Sequence, residues 1–390
     1  KNYFACKGAL EVIGPRLKEE FIELSSRNTK DMASHGYRVL CIAYCESGDS
    51  TEERTLPQLE LAGLIGLIDP LRPEAHDAVQ KCHKAGIEVA MVTGDHPITA
   101  FAIARELGIA QSEDQLISGK ELADLKKVEN GTQWIQSLKN KRVFARVSPL
   151  QKMEIVGAMK ESGHFVAVTG DGANDAPALR MAHIGIAMGS GTDLTKESSS
   201  IIIADNNFAS IVAGVEEGRI TYNNLRKIIY MLLSTGLAEI LTVALAMVFR
   251  LPLPFLAIQL LWLNLVTNGI QDISLAFERS NKGVLNKPPR SPGQSIFDTR
   301  MLTQITVSGL TTTLLCFTVW YYCLEVLQYT EIRSRTIVLM LMVLIQNFHV
   351  LNCRSETTSI FQLPISANYL AVISIFVAQA VHVAASYIPF

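Results

Sequence analysis

The sequence predicts an α/β domain, a parallel sheet with helices on both faces, followed by an all-α transmembrane helix bundle. Three observations predict it. Short apolar runs alternate with helix-like segments through the first half of the chain, the pattern of parallel sheets, whose strands are joined by crossover helices. Most charge lies before Arg226, and from there to Phe390 long apolar stretches are separated by short polar ones, as in a chain that crosses a bilayer repeatedly. Glycine and aspartate collect where apolar runs end, above all in Thr169-Gly170-Asp171-Gly172-Ala173-Asn174-Asp175. Ligands of parallel sheets gather at such strand ends.

In chain order, residues 1–67 carry a helix-like stretch from Pro15 to Ser34 and strand-like runs at Arg38 to Tyr44 and Leu61 to Leu67, the tail of one domain. A second domain, 68–225, shows strands at Val89 to Thr93, Val143 to Ala145, Phe165 to Thr169 and Ile184 to Ala187. The membrane domain, 226–390, holds five candidate spans: Ile228 to Phe249, Phe255 to Phe277, Met301 to Tyr322, Thr336 to Asn352 and Tyr369 to Tyr387. Each is near the length a bilayer core demands. Arg226 and Lys227 precede the first span, Arg279, Lys282, Lys287 and Arg290 follow the second, and Arg354 follows the fourth. By the positive-inside rule these share one cytoplasmic side, which makes a multi-pass integral membrane protein with its α/β part in the cytoplasm. An odd span count and an abrupt start at Lys1 read as a fragment.

Net charge is −2 over 390 residues and no basic tract stands out, which excludes a nucleic-acid partner. The seven cysteines form no Cys-x-x-Cys pair and read as small buried hydrophobes rather than disulfides.

The glycine-rich strand-to-helix turn at 169–175 is a phosphate and Mg²⁺ site by its chemistry. Asp171 leaves the strand, Asp175 opens the next helix, and Mg²⁺ takes one or two carboxylates plus phosphate oxygens. Thr93-Gly94-Asp95 also follows a strand, offering a hydroxyl and backbone N–H groups, though an ordinary helix cap fits it as well. Lys152, after Ala145-Arg146-Val147-Ser148-Pro149, supplies a cation for a transferring phosphoryl group, or is simply solvated surface. In the spans, Glu239 sits where a carboxylate costs about 2.5 to 3.5 kcal/mol on insertion scales. Asn264, Thr267, Asn268 and Asp272 fall at i, i+3, i+4 and i+8, one helical face whose oxygens suit a hard cation. Hydrogen bonding between helices is the plainer alternative.

A threonine, a lysine and an aspartate pair on successive strands resemble the haloacid-dehalogenase class of phosphotransferases. The order of Lys7-Gly8-Ala9, Gly36-Tyr37-Arg38, Asp69-Pro70-Leu71-Arg72, Met91-Val92-Thr93-Gly94-Asp95, Ala145-Arg146-Val147-Ser148-Pro149 and the 169–175 turn resembles the P-type cation-transporting ATPases. Gln259-Leu260-Leu261-Trp262-Leu263-Asn264-Leu265-Val266-Thr267 is similar to their calcium-pump-like branch. The resemblance implies an ATP- and Mg²⁺-dependent pump working through an aspartyl phosphate. It implies that Lys7, Gly8 and Arg38 contact nucleotide, that Asp69, Arg72, Asp95 and Arg146 line the hinge side of the ATP site, and that Thr93, Gly94, Lys152 and Asn174 hold the phosphoryl group. Asp171 and Asp175 would hold Mg²⁺, and Glu239, Asn264, Thr267, Asn268 and Asp272 the transported ion.

The class also needs a nucleophilic aspartate, and no Asp-Lys-Thr-Gly-Thr occurs in these residues. Asp69 is followed by proline and is not assigned that role. The resemblance places the nucleophile, an actuator domain and four spans before Lys1, and a tenth span after Phe390. Two amides, Asn268 and Gln346, stand where similar calcium pumps carry carboxylates, while Asp272 adds one. Ca²⁺ is the leading ion, with Mg²⁺, Na⁺, K⁺ and H⁺ open, and His349 is a candidate for countertransport. A membrane-anchored phosphatase and a phospholipid flippase are the competing readings. The oligomeric state is left open.

Overall fold

The computed structural model describes residues 2–47, 58–68, 70–128, 132–279, 283–291 and 293–387. They form two compact units, 1–214 with 285–292, and 215–284 with 293–390.

The first unit opens with strand β1 (Asn2–Gly8), the short helix α1 (Leu10–Ile13) and helix α2 (Glu19–Ser34), followed by β2 (Arg38–Ser47) and β3 (Glu60–Leu67). The three strands pair antiparallel in the order β1-β2-β3. Helix α2 begins with Glu19 and Glu20, which suit the positive end of its dipole, and Gly36, at φ +85°, lets the chain turn back into β2. Ile13, Leu17, Cys41, Ala43, Cys45 and Leu59 close this core.

The α/β part continues with α3 (Pro73–Lys84), β4 (Met91–Val92), α4 (Pro97–Glu106), β5 (Leu116–Ser118), α5 (Gly119–Val128), α6 (Thr132–Leu138), β6 (Val143–Ala145), α7 (Pro149–Glu161), β7 (Ala167–Gly170), α8 (Ala176–Met181), β8 (Ile184–Met188), α9 (Asp193–Glu197) and β9 (Ile201–Ile203). All pairings here are parallel, in two ladders, β4-β6-β5 and β7-β8-β9. β4 and β7 therefore each lie at a ladder edge, with a site motif at their carboxyl ends. Strand β6 shows why helices cover both faces. Val143 and Ala145 join Val79, Ala100 and Ala104 of α3 and α4, whereas Phe144 points the other way to Leu122, Trp134 and Ile155 of α5, α6 and α7. Side chains alternate across a strand, so a strand without a single polar residue must be covered twice.

The second unit is helical. Helix α10 (Phe208–Val248), the 41-residue helix in which the unit boundary falls, is followed by α11 (Ala257–Trp262), α12 (Asn268–Ala276), α13 (Thr299–Tyr321), α14 (Glu331–Cys353) and α15 (Tyr369–Tyr387). Among the described residues four helices are long and apolar enough to cross a membrane: Phe208–Val248, Thr299–Val326, Glu331–Cys353 and Tyr369–Tyr387. The sequence predicts five, and the difference lies at Phe255–Phe277. There a π-helical turn, Leu263–Thr267, separates α11 from α12. Asn264 Nδ2 donates to Leu260 O at 3.0 Å, the carbonyl that an uninterrupted α-helix would give to the Asn264 backbone N–H, so the ladder shifts and the turn widens.

Candidate catalytic and cation sites

Asp171 follows the last residue of β7, and its main-chain carbonyl accepts from Thr192 N at 2.9 Å. Thr195 Oγ1 approaches the same oxygen at 3.4 Å. The loop after β8 thus fixes the backbone, and the exposed Asp171 carboxylate has no hydrogen bond or ion pair among the described residues. Asp175 is placed differently. Its Oδ1 accepts from Lys152 Nζ at 2.7 Å and its Oδ2 from Gly172 N at 3.2 Å. Lys152 comes from α7, whose start is fixed by a capping box: Ser148 accepts from Gln151 N, and Gln151 Oε1 accepts from Ser148 N. Sequence reasoning picks out Lys152 and Asp175 separately, and the fold joins them. Asn174, beside Asp175, is exposed.

At the end of β4, Thr93 Oγ1 donates to Asp95 Oδ2 at 2.8 Å and accepts from Asp95 N at 3.1 Å. Arg146 N donates to Asp95 O at 3.0 Å and Val147 N to Thr93 O at 3.2 Å, which ties the loop after β6 to the Thr93-Gly94-Asp95 turn. Arg146 itself sits at φ +50°, a costly conformation for a residue with a Cβ. Its carbonyl packs so closely on Gly119 that a Cβ there would lie 2.3 Å away. Lys7 and Arg38 are exposed on β1 and β2. Lys7 pairs with Ile42, and Arg38 lies four residues from Ile42, so the alternation of strand side chains puts both cations on one face. Arg72 is the exposed residue preceding α3. Asp69 lies outside the described residues.

Sequence reasoning misses Glu11, on α1. Its Oε1 lies 3.3 Å from Arg146 Nη2 and 3.1 Å from His96 Nε2. Burial pushes its carboxyl upward, but hydrogen bonding to its own backbone N–H and the positive charge of Arg146 outweigh that and hold it below the usual glutamate range. A lone glutamate just past Lys7-Gly8-Ala9 gives no sequence signal.

In the helical unit Glu239 is 6 % exposed while its neighbour Ile240 is 68 % exposed, so the carboxylate faces the bundle interior. Glu239 Oε2 accepts from Asn264 Nδ2 at 2.8 Å. One turn away on both helices, Asn268 Nδ2 donates to Thr235 Oγ1 and to Asn264 Oδ1, both at 3.3 Å. Among the predicted ion-site residues, Glu239 Oε1, Thr267 Oγ1, Asn268 Oδ1 and Asp272 Oδ1 are buried without a described partner, as are Gln271 Oε1, Gln304 Oε1, Ser334 Oγ and both polar atoms of Gln346 elsewhere in the unit. Buried polar atoms are almost always paired, so oxygens that are not mark a place where a cation could be held. Asp272 lies a further turn along α12 and makes no described contact with Glu239. Thr235 is new to the set. Its hydroxyl also donates to Met231 O at 2.9 Å, the ordinary habit of a helical threonine, which hides it in sequence.

Further polar networks lie in this unit. Gln271 Nε2 donates to Asn347 Oδ1 at 2.7 Å, and Asn347 Nδ2 donates to Gln379 Oε1 at 3.0 Å, linking α12, α14 and α15. Arg354, at the end of α14, forms a buried pair with Glu278, at 3.1 Å, and Asn368 donates to the same carboxylate at 2.6 Å. His349 Nε2 lies 2.6 Å from Ser234 Oγ, a satisfied buried histidine.

Both the α/β and the helical part of the chain are similar to known proteins. Residues 252–390 match the family "cation transporting ATPase, C-terminus". Residues 18–183 match a haloacid dehalogenase-like hydrolase family, as do residues 153–214 a second family of that description. A calcium-transporting ATPase of Bacillus subtilis is 38 % identical over 390 residues, 95 % of this chain and 43 % of that protein. The cation-transporting ATPase pma1 of Synechocystis is 44 % identical over 298 residues, 74 % of this chain and 32 % of that protein. Calcium-transporting ATPase 1 of Schizosaccharomyces pombe is 37 % identical over 384 residues, 95 % of this chain and 41 % of that protein. The chain spans less than half the length of each of these relatives.

Proposed function

Because this chain belongs to the P-type cation-transporting ATPases, we propose that the complete protein hydrolyses ATP through an aspartyl phosphate and uses that cycle to carry Ca²⁺ across a membrane. The observation that carries the reading is Glu239, a carboxylate turned into the bundle with one oxygen bonded to Asn264 and the other unpartnered.

Mg²⁺ fits the residues present. Asp171 offers a free carboxylate at a strand end, and magnesium needs only one or two such groups besides phosphate and water oxygens. When bound, it neutralises phosphate charge. Asp175, engaged on both oxygens, is better suited to aim Lys152, whose ammonium would meet the charge on the phosphoryl oxygens. The Thr93 hydroxyl and the N–H groups around Gly94 would orient the same oxygens. Asn174 would contact them from the next turn. Lys7, Gly8, Arg38, Arg72, Asp95 and Arg146 would hold the nucleotide, with the adenine end toward the β1–β2 face. On the transport side Glu239, Asn264, Thr267, Asn268 and Thr235 would share the ion, and Asp272 would sit further along its path. The α/β unit would face the cytoplasm.

Two observations bear on the ion. Ca²⁺ prefers several oxygen ligands including carboxylate, and two of the relatives described above are named for calcium. Against that, the residues in contact with one another carry one carboxylate and two amides, a charge that suits a monovalent ion such as Na⁺. The test is phosphoenzyme formation from labelled ATP by membranes containing the complete protein, titrated with Ca²⁺, Mg²⁺, Na⁺ and K⁺ in turn. Stimulation by micromolar Ca²⁺ supports the first reading and stimulation by Na⁺ alone the second. Phosphorylation indifferent to every cation overturns both.

A further inference from the structure

We propose that Glu11 is a positioning residue that competes with nucleotide phosphates for the Arg146 guanidinium, so that binding ATP exchanges one anionic partner of Arg146 for another. This rests on the assignment of Arg146 to the nucleotide site. Three features lead to it. The Glu11 carboxylate bridges Arg146, at 3.3 Å, and His96, at 3.1 Å, from a third segment, the short helix α1 just after Lys7 and Gly8. Both residues it meets flank the Thr93-Gly94-Asp95 turn: His96 follows it directly, and Arg146 N donates to Asp95 O. The tautomer of His96 is set by the fold, because Ile98 N donates to its Nδ1 at 3.3 Å. Nε2 therefore carries a proton and can donate to Glu11 with no positive charge on the ring.

Arg146 has little freedom to find another position. Its φ of +50° and the packing of its carbonyl on Gly119 fix where its side chain starts. The guanidinium is half exposed, so its bond to Glu11 is weak enough to exchange. A guanidinium binds phosphate and carboxylate oxygens with the same fork of N–H groups. Glu11 also puts a negative charge within a Debye length of any phosphate that Arg146 binds. A residue that merely braced the loop would aid nucleotide binding, whereas a competitor opposes it, and the sign of the effect separates them.

The experiment measures equilibrium binding of ATP and of adenosine to the complete protein in membranes, for wild type, Glu11→Gln, Arg146→Ala and the double variant. Glutamine keeps the acceptor oxygen and removes the charge. Expected is a Kd for ATP about two- to fivefold lower in Glu11→Gln at low salt, the worth of an exposed ion pair. Adenosine, which has no phosphate, should bind unchanged, and the gain should vanish in the Arg146→Ala background. Glu11→Gln binding ATP equally or more weakly, or keeping its gain without Arg146, overturns the proposal alone. Wild-type protein with no saturable ATP binding overturns the nucleotide-site assignment and the proposal with it. Glu11→Asp, tested in parallel, should bind ATP no tighter than wild type, since the charge is kept.

Discussion

Gly170 has no room for a side chain, because a Cβ there would lie 2.6 Å from Asp175 Cβ. Asp175 is short and tied to Lys152, so it must move if Gly170 becomes alanine. Gly170→Ala is expected to slow phosphoenzyme formation about 10- to 100-fold, the scale on which a misplaced catalytic group acts. Rapid-quench measurement of the complete protein checks this, and an unchanged rate would mean that Asp175 does not aim Lys152. At this scale the sequence identifies residues better than their partners. Asp171, Asp175 and Glu239 announce themselves through unusual neighbours: glycines around a strand end, or lipid-like residues around a carboxylate. The Lys152–Asp175 pair and the Glu11 bridge depend on which strands and turns become neighbours, and no local pattern encodes that. The free carboxylate of Asp171 and the engaged one of Asp175 look alike in sequence and differ only once α7 is in place.

Single interactions also decide how elements start and join. Helix α13 is capped by Asp298, whose Oδ1 accepts from Met301 N at 2.8 Å while Oδ2 accepts from Arg226. The Met301 N–H first, and then the Arg226 guanidinium, hold this carboxyl below the ordinary aspartate range. A folded-state pKa lower than the unfolded one contributes stability that is present above the unfolded value and lost as pH falls through the folded value. Asp298→Asn should therefore lower the melting temperature of the detergent-solubilised protein at pH 7, and the gap from wild type should close only below about pH 4. A gap of the same size at pH 3 would show that charge is not what Asp298 contributes. At the meeting of α12, α14 and α15, Arg354→Leu would strand the buried Glu278, at a cost of about 3 to 5 kcal/mol. Adding Glu278→Leu should recover a large part of it, as the same melting measurement would show. Element identity was largely legible: α2, β2, β3 and β8 come from extended apolar patterning, and the short β6 from an unbroken apolar run, Val143-Phe144-Ala145. Strands β1, β5 and β9 were not, since three residues such as Leu116–Ser118 carry too little periodicity to stand out and β1 interleaves charge and cysteine. The π turn was missed because Asn264 diverts a carbonyl from the backbone ladder, a choice that composition does not reveal.

Across the molecule, the reading requires two chemistries to answer to each other. Glu239→Gln is expected to abolish cation-stimulated phosphoenzyme formation while leaving ATP binding intact, and Asp171→Asn to abolish phosphorylation while leaving cation binding intact. Binding of labelled cation and of ATP to each variant checks both halves. Cation-stimulated phosphorylation that persists in Glu239→Gln would remove the ion site from Glu239. The membrane half was legible from charge distribution, because a bilayer imposes a compositional boundary that no soluble fold needs, and the α/β half from alternating strand-like and helix-like segments. The widened turn at Leu263–Thr267 has a further consequence. Asn264, within the turn, reaches Glu239 on one neighbour, and Gln271, past it, reaches Asn347 on another. A π turn holds one residue more than an α turn, so deleting one of those five positions would close it to ordinary helix and leave the downstream half on its heading. An in-frame loss of a single codon there is therefore expected to spare the bond that Gln271 makes, while straightening the stretch of backbone that carries Asn264.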